Sequence, residues 1–169
     1  MRINESTVIR APREAVWEQI TNPAAYLDFM SGITRWELEG DGDVVERPGE
    51  IELGSRIRML IQVGSAEVGG LIEIVEYKRC GDLAWSSVTG VDQRGRWRLR
   101  DAGTGSTRVE LRYSYGVAGA GIPGVVAERV AAPILRRRLR QSLIGLKRLV
   151  EREVRRGSRE RTAPAGFAP

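Results

Sequence analysis

The sequence predicts an α+β domain in which a curved antiparallel sheet wraps around one long C-terminal helix. Three observations lead to this prediction. A strand pattern followed by two short helical patterns opens the chain, alternating patterns of period two fill residues 33 to 117, and an amphipathic helical pattern covers residues 134 to 156. A sheet with one apolar face needs a cover, and only the last helix is long enough to supply it. We therefore expect about six to seven strands curled around this helix.

The first predicted element is a strand over residues 3 to 10, which ends before Pro12. Pro12 suits the first turn of a helix. Asn22 and Pro23 end this helix and begin another short one that runs to about Gly32, because asparagine is a good N-cap and proline is favoured in the first turn. Two short helices are therefore expected after the first strand. Their apolar faces carry Val16, Trp17, Ile20, Tyr26, Leu27, Phe29 and Met30.

Six further strands are predicted from alternating apolar and polar residues with turn residues between them. Trp97 and Leu99, for example, alternate with Arg96, Arg98 and Arg100. One apolar and one charged face per strand is typical of an antiparallel sheet that is exposed to water on one side. The predicted strands cover residues 33–40, 55–64, 69–78, 82–88, 94–100 and 106–117.

The C-terminal helix is predicted from apolar residues that recur every three or four positions, with the arginines outside this stripe. Pro133 is expected to kink the helix or to separate it from a preceding turn. Residues 157–169 hold two prolines and little apolar content, which predicts a disordered tail. A chain of 169 residues suits one domain, placed here at residues 1–156. The stripe consists of Leu135, Leu139, Leu143, Leu146, Val150 and Val154.

Composition predicts a cytoplasmic, bacterial protein. No apolar run approaches the roughly 20 residues of a membrane span, and the N-terminal residues lack the apolar core of a signal peptide. Cys80 is the single cysteine, and a free thiol fits a reducing compartment. Only two of the 27 basic residues are lysines, a bias that suggests a GC-rich genome. Most of the positive charge is local, because residues 128–161 carry 12 basic residues and four glutamates while the whole chain has a net charge of +5.

Four stretches resemble the START-like superfamily, and specifically its polyketide cyclase/dehydrase (SRPBCC) branch. These stretches are IRAPREAVWEQITNP at 9–23, EYKRCGDLAW at 76–85, GTGSTRVEL at 103–111 and LIGLKRLVE at 143–151. The resemblance spans residues 3 to 156 and implies the helix-grip fold, which matches the order of elements predicted above. It also implies a cavity between the sheet and the helix. Members of the superfamily bind lipids, sterols, hormones or polyketides, and some cyclise or dehydrate polyketide chains.

A hydrophobic ligand site is therefore expected on the concave side of the sheet, facing the last helix. Aromatic side chains from several elements favour a cavity, since apolar ligand sites are commonly lined by aromatics with a few polar groups among them. The alternative is that the same side chains fill a solid core. The facing of Glu73 is left open by the apolar residues on both sides of its strand. The candidate ligand-binding residues are Phe29, Met30, Met59, Ile61, Glu73, Trp85, Ser87, Trp97, Tyr113, Tyr115, Leu135 and Leu139.

The sequence assigns no catalytic residue, no cofactor and no metal ligand. The absence of histidine removes the Ser-His and Cys-His dyads and the commonest metal ligand. Whether the protein is an enzyme is left open. A non-catalytic carrier or sensor of a lipid-like or polyketide-like molecule is favoured, and the alternative is a polyketide cyclase or dehydrase that uses tyrosine and acidic residues of the cavity.

The arginines of the last helix allow two interpretations. They form either a solvated face or a peripheral contact with anionic membrane lipids through Arg136, Arg137, Arg138 and Arg140. A nucleic-acid partner is not favoured, because no aromatic residues are interleaved with the charges for base stacking. The oligomeric state is left open.

Overall fold

The computed structural model of the chain describes residues 2–40, 51–63, 65–115 and 122–162, with side chains in the last range from 132 to 159. The first part holds β1 (Arg2–Ile9), α1 (Arg13–Thr21), a 3-10 turn (Pro23–Ala25) and α2 (Tyr26–Phe29). The six strands that follow are β2 (Ile33–Leu38), β3 (Arg56–Val63), β4 (Ala66–Lys78), β5 (Asp82–Ser87), β6 (Gln93–Asp101) and β7 (Thr107–Tyr115). The last element is the helix α3 (Ile122–Thr162).

The seven strands form one antiparallel sheet in the order β1-β7-β6-β5-β4-β3-β2. The sheet wraps around α3, which packs against β1, β7, α1 and α2. This is the helix-grip arrangement, and it confirms the predicted fold. One core fills the space between the sheet and the helices, with Ile9, Ile20, Trp97 and Leu146 completely shielded from solvent. None of the helices in the described ranges has the length and apolar content to cross a bilayer.

The two faces of the sheet differ in chemistry as the alternation predicts. On the convex face the carboxylate of Asp82 accepts hydrogen bonds from the Nε of Arg98 at 2.8 Å and from an Nη of Arg100 at 3.1 Å. Next to them, Arg96 forms an ion pair with Glu76. Burial raises the pKa of Asp82, but the arginine hydrogen bonds and charges outweigh it and hold the pKa below its usual range. The charged groups of this face thus stabilise one another and leave the concave face apolar.

The structure extends the last helix beyond both predicted ends. Helix α3 is continuous through Pro133, where a kink or a break was expected. It begins at Ile122 and ends at Thr162, so the first residues of the predicted disordered tail are helical. The apolar stripe itself lies as predicted, with Leu139, Leu143 and Val150 buried against the sheet. The apolar stripe covers only the part of the helix that packs on the sheet. The ends of the helix, which were predicted from this stripe, were therefore placed too far inward.

Candidate ligand-binding site

A cavity of about 40 Å³ lies between the concave face of the sheet and α3. Its buried wall includes Trp36, Met59, Trp85 and Leu139, whereas Ile33 and Arg138 at its rim are partly exposed. A cavity of this size holds one or a few water molecules. Its lining consists of Met30, Ser31, Ile33, Trp36, Met59, Ile61, Trp85, Tyr113, Leu135, Arg138, Leu139 and Ser142.

Aromatic rings fill most of the remaining space beside the cavity. The rings of Tyr26 and Trp36 are stacked with centroids 4.0 Å apart and planes within 4°. Trp36 also meets Trp85 edge-on at 5.9 Å, and Phe29 meets Trp97 at 6.1 Å. Such pairs add stability beyond the area that they bury. The aromatic side chains therefore combine the two expected arrangements, a solid core and a cavity. They form a packed core and also line a small cavity within it.

Two indole N–H groups on the cavity wall find no hydrogen-bond acceptor in the part of the chain that the structure describes. The Nε1 atoms of Trp36 and Trp85 are both buried, and no acceptor for either is found among the described residues. A buried donor without an acceptor costs about 1 to 3 kcal/mol, so such groups are rare in native interiors. Water or a bound molecule in the cavity could supply an acceptor for these two donors.

A short polar chain crosses the floor of the site. The phenol of Tyr113 donates a hydrogen bond to the amide oxygen of Gln93, and the amide nitrogen of Gln93 lies 2.9 Å from the sulfur of Met59. Burial raises the pKa of Tyr113 well above its usual value. At neutral pH the phenol therefore keeps its proton and acts as a hydrogen-bond donor.

The rim of the cavity is held together by the turn between α2 and β2. The backbone N–H of Ser31 donates to the hydroxyl of Ser142 at 2.9 Å, and the hydroxyl of Ser31 donates to Gln141 at 3.0 Å. The neighbouring Gly32 has a φ of 87°, and a Cβ placed there would lie 2.9 Å from an Nη atom of Arg138. Only a residue without a side chain lets the guanidinium lie this close to the turn.

Seven of the twelve candidate residues line the cavity, and five lie elsewhere. Glu73 lies on the convex face, where its carboxylate accepts from the Nε of Arg56 at 3.2 Å. Ser87 accepts from the backbone of Gln93 in the turn to β6. Phe29 and Trp97 are core residues, and Tyr115 is partly buried against the core. The seven that come together are Met30, Met59, Ile61, Trp85, Tyr113, Leu135 and Leu139.

Sequence reasoning missed five lining residues, which are Ser31, Ile33, Trp36, Arg138 and Ser142. Arg138 lies three positions after Leu135, and Ser142 lies three positions after Leu139, which is the spacing that brings helical side chains to one face. This spacing could have identified both residues, but the polar residues of the helix were assigned to its solvent face because of their residue type. Trp36 lies on β2, and its alternation with exposed neighbours could have identified it. In the ranges that the structure describes, no cluster of acidic or cysteine side chains could hold a metal ion.

The family model described as polyketide cyclase/dehydrase and lipid transport matches residues 1–151. The chain therefore belongs to this family. A search of curated proteins gives no match.

Solved structures with the same fold come from several bacteria. A protein of Thermus thermophilus has a TM-score of 0.74 at 18% identity, with 90% of this chain and 99% of that chain covered. The Zhui aromatase/cyclase from a Streptomyces species has a TM-score of 0.69 at 17% identity and covers 99% of both chains. A START superfamily protein from Mycobacterium smegmatis has a TM-score of 0.67 at 14% identity and covers 89% and 97%. At these identities the likeness establishes the fold alone.

Proposed function

We propose that this protein binds a hydrophobic small molecule in the cavity between α3 and the sheet. The observation that carries the proposal is the pair of buried indole N–H groups of Trp36 and Trp85, which lack acceptors among the described residues on an otherwise apolar wall. A ligand with an apolar body and an acceptor oxygen would fill the space and satisfy a donor. The family match supports the proposal, because the family description joins polyketide cyclases and dehydrases with lipid transport.

Binding would require the cavity to widen. Sites for drug-sized ligands enclose about 300 to 1,000 Å³, against about 40 Å³ here. The wall contains two methionines, Met30 and Met59, whose unbranched side chains adopt several conformations at low cost. The turn at Ser31 closes on α3 mainly through hydrogen bonds to Gln141 and Ser142. We infer that separation of this turn from α3 admits the ligand.

The proposal is tested by titrating the protein with the neutral fluorescent probe N-phenyl-1-naphthylamine and by native mass spectrometry of the protein as purified. Trp85→Phe removes one unpaired N–H and changes the size and shape of the cavity, so we expect the affinity for the dye to change. Trp17→Phe is the matched control, because Trp17 is equally buried but contacts Tyr77 away from the cavity. Absence of both probe uptake and a co-purified apolar molecule would refute the proposal.

The second candidate function is cyclisation or dehydration of a bound polyketide chain. One observation favours it: the phenol of Tyr113 lies on the cavity wall and keeps its proton at neutral pH, so rotation of the hydroxyl away from Gln93 would let it donate a hydrogen bond to a substrate carbonyl. A donor of this kind stabilises the enolate oxygen that forms when the carbon next to a ketone carbonyl loses a proton and becomes a nucleophile. Comparing product mixtures from a poly-β-ketone thioester with wild-type protein, Tyr113→Phe and buffer alone tests this candidate. Identical mixtures in all three would leave only the carrier function.

A further inference from the structure

Arg138 differs from the other arginines of its helix turn. Arg136 and Arg140 both approach Glu5 on β1, at 3.4 Å and 2.9 Å. The side chain of Arg138 instead lies on the cavity rim beside Leu135 and Leu139, and no carboxylate of the described residues is within ion-pair distance of it. The cavity thus has one cationic group at its partly exposed end and none among the described residues of its buried end.

The turn at the rim holds the guanidinium in place. Gly32 leaves room for the group, whose Nη1, Cζ and Nε atoms lie 2.9 to 3.4 Å from the position that a Cβ of residue 32 would take. All three distances are short, so the guanidinium packs against the turn at Gly32. A planar guanidinium offers parallel N–H donors that match the two oxygens of a carboxylate.

We propose that the ligand of this cavity is a hydrophobic carboxylic acid, with its carboxylate on Arg138 at the rim and its apolar body directed toward Trp36 and Trp85. This inference rests on the proposed function and specifies the chemical class of the ligand. Low-polarity walls strengthen an ion pair relative to the same pair in water. The apolar residues around Arg138 therefore make the contact selective for acids over neutral molecules of the same length.

The test compares decanoate with 1-decanol, two probes with the same chain and different head groups. Each is titrated against the complex of the protein with N-phenyl-1-naphthylamine, at a pH where decanoate is ionised. Hydrogen bonds to charged groups are strong enough that we expect decanoate to displace the probe at about tenfold lower concentration than decanol. Higher ionic strength should weaken the binding of decanoate and leave that of decanol unchanged.

Arg138→Gln should remove the preference for decanoate over decanol, because it should weaken the binding of decanoate alone. Arg137→Gln is the matched control, because Arg137 is the exposed neighbour on the same helix and its loss changes the net charge equally. Equal displacement by the two probes in the wild type, or a preference that survives in Arg138→Gln, would overturn the proposal and leave the hydrophobic site intact. If the protein binds neither the dye nor decanoate nor decanol, both the proposed hydrophobic site and its proposed preference for acids are wrong.

Discussion

The backbone N–H of Ser31 donates a 2.9 Å hydrogen bond to the hydroxyl of Ser142, across a sequence separation of 111 residues. The same hydroxyl donates to the carbonyl of Arg138 one helical turn earlier, also at 2.9 Å. Ser142 thus connects the turn that closes the cavity to the helix segment that carries the rim arginine. It is 1% exposed, so its hydroxyl is shielded from bulk solvent.

Ser142→Ala should lower the free energy of unfolding by about 1 to 2 kcal/mol, because the N–H of Ser31 loses its acceptor in a partly buried place. The measurement is urea denaturation followed by tryptophan fluorescence. Ser158→Ala is the control, since Ser158 makes the same kind of bond to a carbonyl one turn earlier, at 2.8 Å, on an exposed part of α3. A change within about 0.5 kcal/mol is expected there. Equal losses in both variants would contradict the role given to Ser142.

Gly95 makes room for the indole of Trp85 on the neighbouring strand. A Cβ at residue 95 would lie 1.9 Å from the Cζ2 atom and 2.2 Å from the Cε2 atom of Trp85. Gly95→Ala should therefore cost about 3 kcal/mol through overpacking. In a Trp85→Leu background the clashing ring is absent, so the cost should fall by at least about 1 kcal/mol in a double-mutant cycle. Additive effects of the two substitutions would show that the contact is not the cause.

The fold could be predicted from the sequence because its elements depend on local patterns. The alternation of Trp97 and Leu99 with arginines reports which face of β6 is buried, and the stripe through Leu139 and Leu143 reports which face of α3 packs. The cavity could be predicted only in part. Whether a buried ring such as Trp97 or Trp85 borders empty space depends on how side chains from distant strands interlock, and this is not encoded in the period of any one strand.

Residue type misled the prediction at two positions for opposite reasons. Glu73 was a candidate for the cavity, but its carboxylate pairs with Arg56 on the outer face of the adjacent strand. Arg138 was assigned to the solvent face, but the left-handed turn at Gly32 brings it onto the cavity rim. Both placements depend on a partner that is distant in sequence, so neither follows from the local pattern.

Asp82 should make the stability of the protein depend on pH in the acid range. Its carboxylate is 5% exposed and accepts from Arg98 and Arg100, and these contacts hold its pKa below the usual value despite burial. A carboxyl with a lowered pKa in the folded state stabilises the fold above the unfolded-state pKa of about 3.9. This stability is lost as the pH falls through the lower pKa of the folded state.

Asp82→Asn should consequently lower the free energy of unfolding by about 2 kcal/mol at neutral pH, because Arg96, Arg98 and Arg100 lose a counter-charge. The difference from wild type should shrink as the pH falls below about 4. Urea denaturation across this range measures it. Asp28→Asn, at an exposed position on α2, should leave stability unchanged within about 0.5 kcal/mol. If the difference in the free energy of unfolding between wild type and Asp82→Asn stays constant down to low pH, the titration of Asp82 is not its source.

Glu5 sets how much positive charge the outer face of α3 presents. Its side chain is 14% exposed and lies between Arg136 and Arg140, so it neutralises part of the surface for which contact with anionic lipids was one of two interpretations. Wild-type protein should therefore bind phosphatidylglycerol vesicles weakly at low ionic strength and lose binding at moderate ionic strength. Changing Arg136, Arg137, Arg138 and Arg140 to Glu should abolish the binding.

Glu5→Gln should strengthen vesicle binding in a sedimentation assay, because it frees two arginines at once. Glu18→Gln is the control, since it removes the same charge from an exposed position on α1. If only total charge matters, the two variants gain equally; if the arginine face binds the lipid, only Glu5→Gln gains. Double-stranded DNA in the same assay should be bound no better by Glu5→Gln than by Glu18→Gln. Failure of every variant to bind vesicles at low ionic strength would mean that the arginines of α3 are only solvated.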